Sequence, residues 1–574
     1  MYCVFAPWRL GAGIIGDPAI IKITDLNFRY KRAATPVFQG LNLEIAPGER
    51  VAVLGPSEAG KSTLALCLGG LIPRMIKGEF HGQVEVAGSI ANLCRPREQA
   101  DRVGLLFQDF EAQLFCTRVD QEVAFGPENL GLARPELAHR VKGALARVGL
   151  EGLEYRDPAT LSGGQKQLLA LAAVLALEPR VLVLDEPTTD LDPLRVEELL
   201  EALGRLSLDQ KLTLILLGAD LRLARHCSRI VLLHQGKVAA DGPREEVWQE
   251  VERFRALGLR PPELPALFHD LGQTSLPLTL EAAAAQARQL GWQHSGEDPI
   301  PAPSPLPSPA PELLALRKIT FGYPGEAPIF RDFSFTLRQG ELAAILGPNG
   351  GGKTTLVKLL RGLLQPQAGE VWTAPAAQPL RVGFVFQNPD YQLFAEQVWE
   401  EVAFGPSLLG LSPEEINRRV ETALTQVHLR DRAGEDPFSL TKGQRQRLAV
   451  AGVLALSPQV IILDEPTTGL DHREQEDMLA LIRELHRQGH TILMVTHSMW
   501  AAVHYAQRLV VLKDGKIILD GPTREVLTQE EILHDCRLKP PALTQLCRRL
   551  GFMALTAEEF RRKVLGKRDQ VVEK

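Results

Sequence analysis

The chain has 574 residues, of which 45% are hydrophobic and 23% charged, and its formal net charge is −6. This is the composition of an ordinary globular protein, and at roughly 150 residues per domain the length predicts several domains. The charge argues against a dedicated nucleic-acid-binding protein, and the cysteines form no C-x-x-C pair, which favours free thiols in a reducing compartment. The longest apolar run, 168–177, is too short to cross a bilayer.

The chain repeats itself. GPSEAGKST at Gly55 recurs as GPNGGGKTT at Gly347, at an offset of 292 residues, and VLVLDEPTTDLD recurs as VIILDEPTTGLD at an offset of 279. The difference places 13 extra residues in the first half, between the Gly-rich loop and Gln108. In chain order we predict an N-terminal extension (1–19), a first domain (20–245), its C-terminal extension (246–292), a proline-rich linker (293–312), a second domain (313–525) and its extension (526–574).

Each half is predicted to be α/β. Apolar runs rich in Val, Ile and Leu indicate buried parallel strands, separated by amphipathic helical stretches. In the first half these runs are 51–54, 181–184, 212–217 and 230–233, and a long helix is predicted over 166–177. Proline in the linker favours an extended chain, which at about 3.1 Å per residue spans roughly 60 Å. That length allows two similar domains to face each other.

A Gly-rich loop lies between a predicted strand and a predicted helix in each half, which is the context of a P-loop. Its backbone N–H groups and the helix N-terminus bind phosphates, the lysine neutralises their charge, and the hydroxyl of the next residue is offered to Mg²⁺. The predicted nucleotide-binding residues here are Gly55, Gly60, Lys61, Ser62 and Thr63, and in the second half Gly347, Gly350, Gly352, Lys353, Thr354 and Thr355. Ser62 and Thr354 are also predicted magnesium ligands.

Two acidic residues end a later strand in each half. Asp185 and Asp464 lie at the carboxyl end of a strand, where ligands bind to parallel sheets, and are predicted to hold Mg²⁺ directly or through water. The next residues, Glu186 and Glu465, are placed to act as general base on the attacking water.

The segment Leu161-Ser-Gly-Gly-Gln165 precedes the first Asp-Glu pair and opens the long helix. With the P-loops, the LDEP segments and a downstream Thr-His, the chain resembles the ATP-binding-cassette (ABC) ATPases over nearly its whole length, twice. The resemblance implies two tandem P-loop NTPase domains of α/β class, each with a helical subdomain and a small C-terminal extension. It also implies ATP and Mg²⁺ as ligands, and head-to-tail packing in which each ATP lies between one P-loop and the opposite signature motif.

The resemblance assigns further roles. Gln108 and Gln387 would sense Mg²⁺ and nucleotide, Tyr30 and Tyr323 would stack on adenine, and Asp192 and Asp471 would communicate across the dimer. The signature residues that would contact ATP are Ser162, Gly163, Gly164 and Gln165 in the first half, and Thr441, Gly443 and Gln444 in the second.

The two composite sites implied by the resemblance are unequal. The site built on Lys353 has Glu465, His497 and the LSGGQ motif, so every motif position is standard. The site built on Lys61 faces LTKGQ, where Thr441 replaces Ser and Lys442 replaces Gly. The first half also lacks the histidine, because either Ala219 or Gly218 aligns with His497. We expect the first site mainly to hold ATP and the second to hydrolyse it.

The segments around Gln113 and Gln392, with sequence QLF, resemble the Q-loop region of the ATPases of energy-coupling-factor (ECF) importers. The resemblance implies a peripheral subunit at the cytoplasmic face of the cell membrane, with a transmembrane scaffold and a small substrate-binding membrane protein as partners, and no nucleic acid. Alternatives are the tandem ATPase of a sugar or peptide importer, and a soluble ABC-type translation factor, although the short proline-rich linker is unlike the charged helical linker of the latter.

Overall fold

The computed structural model describes residues 19–188, 193–206, 212–292, 310–375 and 379–565. The predicted N-terminal extension and linker lie almost wholly outside these residues, as does Asp192. The described residues form two compact units, one within 1–188 and 198–247 and the other within 189–197 and 248–574. The C-terminal extension of the first half therefore belongs to the second unit. No described helix is long and apolar enough to span a membrane.

The first half contains ten described strands in two sheets. A four-stranded antiparallel sheet has the order β2-β1-β4-β5, and a six-stranded sheet has the order β10-β9-β3-β8-β7-β6. Strand β3 pairs in parallel with β8 and β9, and β7 with β6 and β8, as the apolar runs predict. The strands are β1 (Ile21–Tyr30), β2 (Phe38–Ile45), β3 (Arg50–Leu54), β4 (Gly78–Val86), β5 (Ser89–Ile90), β6 (Val103–Leu106), β7 (Val181–Asp185), β8 (Thr213–Gly218), β9 (Arg229–His234) and β10 (Lys237–Pro243).

The helices of the first half follow the predicted motifs. Helix α1 begins at the P-loop lysine, and α5 begins directly after Ser162, three residues before the start predicted from its apolar run. Strand β5 and helix α2 lie in the stretch where the sequence predicts 13 extra residues. The helices are α1 (Lys61–Leu68), α2 (Pro96–Gln99), α3 (Val119–Asn129), α4 (Arg134–Val148), α5 (Gly163–Leu175), α6 (Pro193–Leu206) and α7 (Arg244–Val247), followed in the extension by α8 (Val251–Ala256), α9 (Glu263–Asp270) and α10 (Leu280–Gln289).

The second half repeats this plan. Its six-stranded sheet has the order β15-β16-β17-β13-β18-β19, beside a three-stranded sheet of order β12-β11-β14. The strands are β11 (Glu312–Phe321), β12 (Phe330–Arg338), β13 (Leu342–Leu346), β14 (Ala368–Thr373), β15 (Val382–Val385), β16 (Val460–Asp464), β17 (Thr491–Val495), β18 (Arg508–Lys513) and β19 (Lys516–Pro522). The helices are α11 (Lys353–Leu360), α12 (Val398–Leu408), α13 (Pro413–Gln426), α14 (Lys442–Leu454), α15 (His472–Arg487), α16 (Met499–Tyr505), α17 (Thr523–Val526), α18 (Glu530–Asp535), α19 (Ala542–Arg549) and α20 (Ala557–Leu565).

The two C-terminal extensions share one hydrophobic core. Leu267 and Phe268 of α9 are buried in the same cluster as Leu546 and Cys547 of α19. The Glu263 carboxylate accepts hydrogen bonds from the first two backbone N–H groups of α19, both at 2.9 Å. The first N–H groups of a helix have no partner within the helix, so the carboxylate on α9 of the first extension caps α19 of the second extension.

The first extension also contacts the second cassette. The Arg260 guanidinium stacks 3.8 Å from the ring centre of Trp500 on α16, and donates to the Gln475 side chain on α15 at 3.0 Å. Both contacts lie within the second unit. The first extension is thereby fixed to the helix that begins two residues after His497.

Candidate nucleotide-binding and hydrolysis site

Both P-loops hold their lysine in the same way. Lys61 donates to the carbonyl oxygens of Gly55 and Pro56, both at 2.9 Å, and Lys353 donates to those of Gly347 and Pro348 at 2.8 and 3.0 Å. Each lysine is buried. The loop therefore wraps around a buried ammonium group, the positive charge that a P-loop would offer to phosphates.

The loop glycines are required by close backbone approach. A Cβ at Gly55 would lie 2.4 Å from the carbonyl oxygen of Leu233, and one at Gly347 would lie 1.9 Å from that of Leu512. Gly350 has a φ of 78°, a left-handed conformation that favours glycine. The corresponding residue of the first half, Glu58, adopts nearly the same conformation, with a φ of 62°. Glu58 therefore has a strained backbone conformation and also places an acidic side chain in the phosphate-binding loop.

Asp185 and Asp464 lie at the ends of β7 and β16, beside the P-loop lysines. Burial raises the pKa of Asp185, and burial with the adjacent Glu465 raises that of Asp464 to about 6. The Oδ1 atom of Asp185 is buried and has no hydrogen-bond partner in the described part of the chain, while the Ser62 hydroxyl bonds to the same carboxylate. A buried carboxylate with an unpaired oxygen fits a cation.

The donor set suits magnesium. The described residues contain no group of three or more His, Cys, Asp or Glu side chains placed to hold a metal ion. Mg²⁺ is usually bound by one or two carboxylates together with substrate phosphates and water, so a full protein cage is not needed. Asp185 with Ser62, and Asp464 with Thr354, would supply the protein ligands.

The second half places a histidine on the predicted general base. Nδ1 of His497 lies 2.9 Å from Oε2 of Glu465, which also accepts the His497 backbone N–H at 3.2 Å. Burial alone would raise the pKa of Glu465, but the charge and hydrogen bonds of His497, together with the charge of Lys353, outweigh burial and lower the pKa. The carboxylate is thus held ionised, as a proton acceptor must be.

In the first half, alanine takes the place of this histidine. Asp185 pairs with Leu217 in the sheet as Asp464 pairs with Val495, and the backbone of Ala219 bonds to Glu186. The sheet register therefore aligns Ala219, not Gly218, with His497. Here Lys61 lies 3.3 Å from the carboxylate, yet burial dominates and raises the pKa of Glu186. Both glutamates adopt left-handed backbone conformations, with φ of 47° and 48°.

The signature motifs start their helices with the same capping box. Ser162 Oγ accepts from the Gln165 backbone N–H while the Gln165 side chain accepts from Ser162, and Thr441 and Gln444 repeat the arrangement. Their surroundings differ, because Ser162 is exposed and Gly164 partly buried, whereas the corresponding Thr441 is partly buried and Gly443 is buried. Gly164 follows in the first turn of α5.

The remaining predicted residues lie around the P-loops and after β6 and β15. The Tyr30 hydroxyl bonds to the Thr63 hydroxyl at 3.0 Å, so Tyr30 is attached to the P-loop helix, and Tyr323 packs edge-on against Phe321. Gln108 and Gln387 follow β6 and β15 and are exposed. Thr355 is buried beside Lys353 at the start of α11.

Sequence reasoning missed a buried glutamate that supports each Gln loop, the segment 108–114 in the first half and 387–393 in the second. Glu122 accepts the backbone N–H groups of Phe115 and Cys116 at 3.0 and 2.7 Å, and Glu401 accepts those of Phe394 and Ala395, both at 2.8 Å. Both glutamates belong to the repeated EVAFGP segment, and that repetition is the signal that could have singled them out.

Comparison with known proteins gives concordant results. The family model described as "ABC transporter" matches residues 38–189 and 330–468. TTE1589 of Caldanaerobacter subterraneus subsp. tengcongensis, provisionally named an ABC transporter ATP-binding protein, is 42% identical over 95% of this chain and 99% of its own. YkoD of Bacillus subtilis, provisionally named an HMP/thiamine import ATP-binding protein, is 33% identical over 91% of this chain and 95% of its own.

Among solved structures, cbiO1 of Clostridium perfringens, described as part of the ABC transporter complex cbiONQ, is 32% identical. The match covers 39% of this chain and 94% of that one, with a TM-score of 0.36. The family model covers half of the chain in two copies, and the relatives align along nearly all of it. The chain therefore belongs to the ATP-binding proteins of ABC transporters, as an ABC transporter ATPase with two ATP-binding domains.

Proposed function

We propose that the chain is the energising subunit of an ECF-type importer for a vitamin, vitamin precursor or metal ion. The observation that carries this proposal is a pair of exposed phenylalanines beside each Gln loop. In the second half Phe394 and Phe404 are 60% and 46% exposed and stack edge to face at 4.7 Å. Phe115 and Phe125 repeat the arrangement, at 61% and 46% exposure and 4.7 Å.

Such aromatic pairs are suited to binding a partner helix. Exposed apolar side chains that cluster beside a functional loop mark interaction surfaces, and aromatic anchors dominate interface energies. Leu393, in contrast, is 5% exposed and belongs to the core, so in the second QLF segment the phenylalanine rather than the leucine is offered to a partner; Leu114 of the first segment is partly buried. The name of YkoD, which refers to HMP/thiamine import, supports a vitamin-related cargo, although the membrane subunits select it.

The partner would be a transmembrane scaffold that carries a small substrate-binding protein, with this chain at the cytoplasmic face of the membrane. Co-expression with the scaffold should give a complex that survives purification in detergent. Phe394→Ala with Phe404→Ala should weaken that complex at least tenfold, since hot-spot truncations cost about 2 kcal/mol or more. Co-purification of the chain with ribosomes rather than with the scaffold would contradict this function. Unchanged scaffold binding by the double variant would contradict it as well.

The second part of the proposal concerns hydrolysis. The two halves pack head to tail, each ATP with Mg²⁺ lies between one P-loop and the opposite signature motif, and the two sites are unequal. Glu465 and His497 would position and deprotonate water at the second site, where the standard LSGGQ motif supplies the clamp. Glu186, with Ala219 in place of the histidine, would leave the first site mainly a holder of ATP.

Two matched substitutions test this asymmetry. Glu465→Gln should lower the ATPase rate about 10²- to 10⁴-fold, the usual contribution of a general base. Glu186→Gln should lower the ATPase rate far less, although it is the same chemical change at the corresponding position of the first half. Steady-state phosphate release gives both rates, and binding of a fluorescent ATP analogue serves as the folding control. Equal losses in the two variants would refute the asymmetry.

A further inference from the structure

Glu474 reaches the N-terminus of the second signature helix, α14, from within the same half. Its Oε1 accepts a hydrogen bond from the Thr441 hydroxyl at 2.8 Å and from the Gly443 backbone N–H at 3.3 Å. A Cβ at Gly443 would lie 2.6 Å from the Glu474 carboxyl carbon, so the two groups are in close contact. Two signature donors expected to meet a triphosphate thus already hold an anion that belongs to the chain.

The carboxylate is fixed in this position from its other side. The Glu474 backbone N–H donates to Oδ1 of Asp471 at 2.9 Å, and Oε2 of Glu474 accepts the Asp471 backbone N–H at 3.4 Å. This is the capping box that starts α15. One carboxylate therefore serves two helix N-termini, and both helix dipoles favour its negative charge.

The first half has no carboxylate at the position in its sequence that corresponds to Glu474. At the offset of 279 the residue that corresponds to Glu474 is Arg195, a cation whose side chain lies outside the described residues. Of the corresponding signature residues, Ser162 is exposed and Gly164 is partly buried. The two signature helices thus differ at their phosphate-binding end as well as in sequence.

We propose that Glu474 determines which composite site closes on ATP; this rests on the head-to-tail arrangement proposed above. The carboxylate takes the place of a phosphate at α14, so the site built on Lys61 is not clamped from the opposite side. A γ-phosphate brought to the same donors would meet a fixed negative charge, and that charge would have to leave first. The site built on Lys353 faces the open α5 and closes.

The test counts trapped nucleotide in the full chain. Glu465→Gln slows hydrolysis, so that radiolabelled ATP stays bound through rapid desalting when a site is clamped. This parent variant should trap about one ATP per chain, and adding Glu474→Gln, which keeps the side chain's shape and removes its charge, should raise the amount about twofold. Asp477→Asn, an exposed carboxylate on the same helix, is the matched control and should leave it unchanged.

The outcomes separate the two proposals. No trapping by the Glu465→Gln parent would overturn the head-to-tail arrangement itself. Trapping of two ATP by that parent, or no increase on substitution of Glu474, would overturn the role of Glu474 alone. Glu474→Ala, which removes the side chain altogether, provides a second variant should the glutamine amide stay bound to Thr441, and its melting temperature reports on folding. An increase in either variant supports the proposal.

Discussion

Replacement of Arg260 by alanine should loosen the first C-terminal extension from the second cassette. Arg260 makes a cation–π contact with Trp500 at 3.8 Å and a hydrogen bond to Gln475 at 3.0 Å. A partly desolvated cation–π pair contributes about 2 kcal/mol and a side-chain hydrogen bond about 1 kcal/mol. Ordering the arginine side chain costs rotamer entropy, a cost that alanine avoids and that offsets up to about 1 kcal/mol of this sum. A net loss of stability of about 2 kcal/mol is therefore expected.

Hydrogen exchange of backbone amides measures this loss locally, without assuming that so large a chain unfolds in one step. A loss of about 2 kcal/mol corresponds to roughly 30-fold faster exchange in α8 and α9. Lys539→Ala is the matched control, because Lys539 holds the corresponding place before Pro-Pro in the second extension. Less than threefold acceleration in Arg260→Ala, or equal acceleration in the control, would refute the reasoning.

Three further substitutions test backbone strain and the titration of a partly buried histidine. Glu58→Gly should stabilise the first P-loop by up to about 1 kcal/mol and strengthen ATP binding, because it relieves a left-handed φ and removes an acid. Gly350→Glu in the second P-loop should have the opposite effects. Differential scanning calorimetry would detect the change in stability, and ATP titration the change in binding. Burial, and to a smaller extent the charge of Arg260, lowers the pKa of His472 to about 4. The stability that this histidine contributes is therefore complete above pH 6.5 and is lost as the pH falls towards 4, by about 3 kcal/mol at most. His472→Gln should flatten the urea-midpoint profile over that range, and parallel profiles would contradict this assignment.

Much of the site could be predicted because its chemistry is local in sequence. A P-loop needs a strand, glycines and a lysine at fixed spacing, and the strands ending in Asp185 and Asp464 are apolar enough to identify from their residues alone. The histidine replacement could not be decided, since Gly218 and Ala219 differ by one residue and only the pairing of Asp185 with Leu217 fixes the register.

Glu474 and Glu263 lay beyond sequence reasoning for a different reason. Asp471 and Glu474 have the spacing of an ordinary capping box, which explains both residues without any further contact. The bond from Thr441 to Glu474 joins residues 33 positions apart, and the bond from Ala542 to Glu263 joins residues 279 positions apart. No local pattern encodes such long-range pairing, so it had to be seen in the fold.

The shared core of the extensions has a practical consequence for dividing this chain. A cut within 293–312 would leave Phe268 and its apolar neighbours on the first fragment, separated from Leu546 and Cys547 on the second. Each fragment would expose to solvent a hydrophobic face that is buried in the intact chain. Co-expression of the two fragments should therefore restore a solubility that neither fragment has alone. In this chain the covalent boundary between the copies and the physical boundary do not coincide.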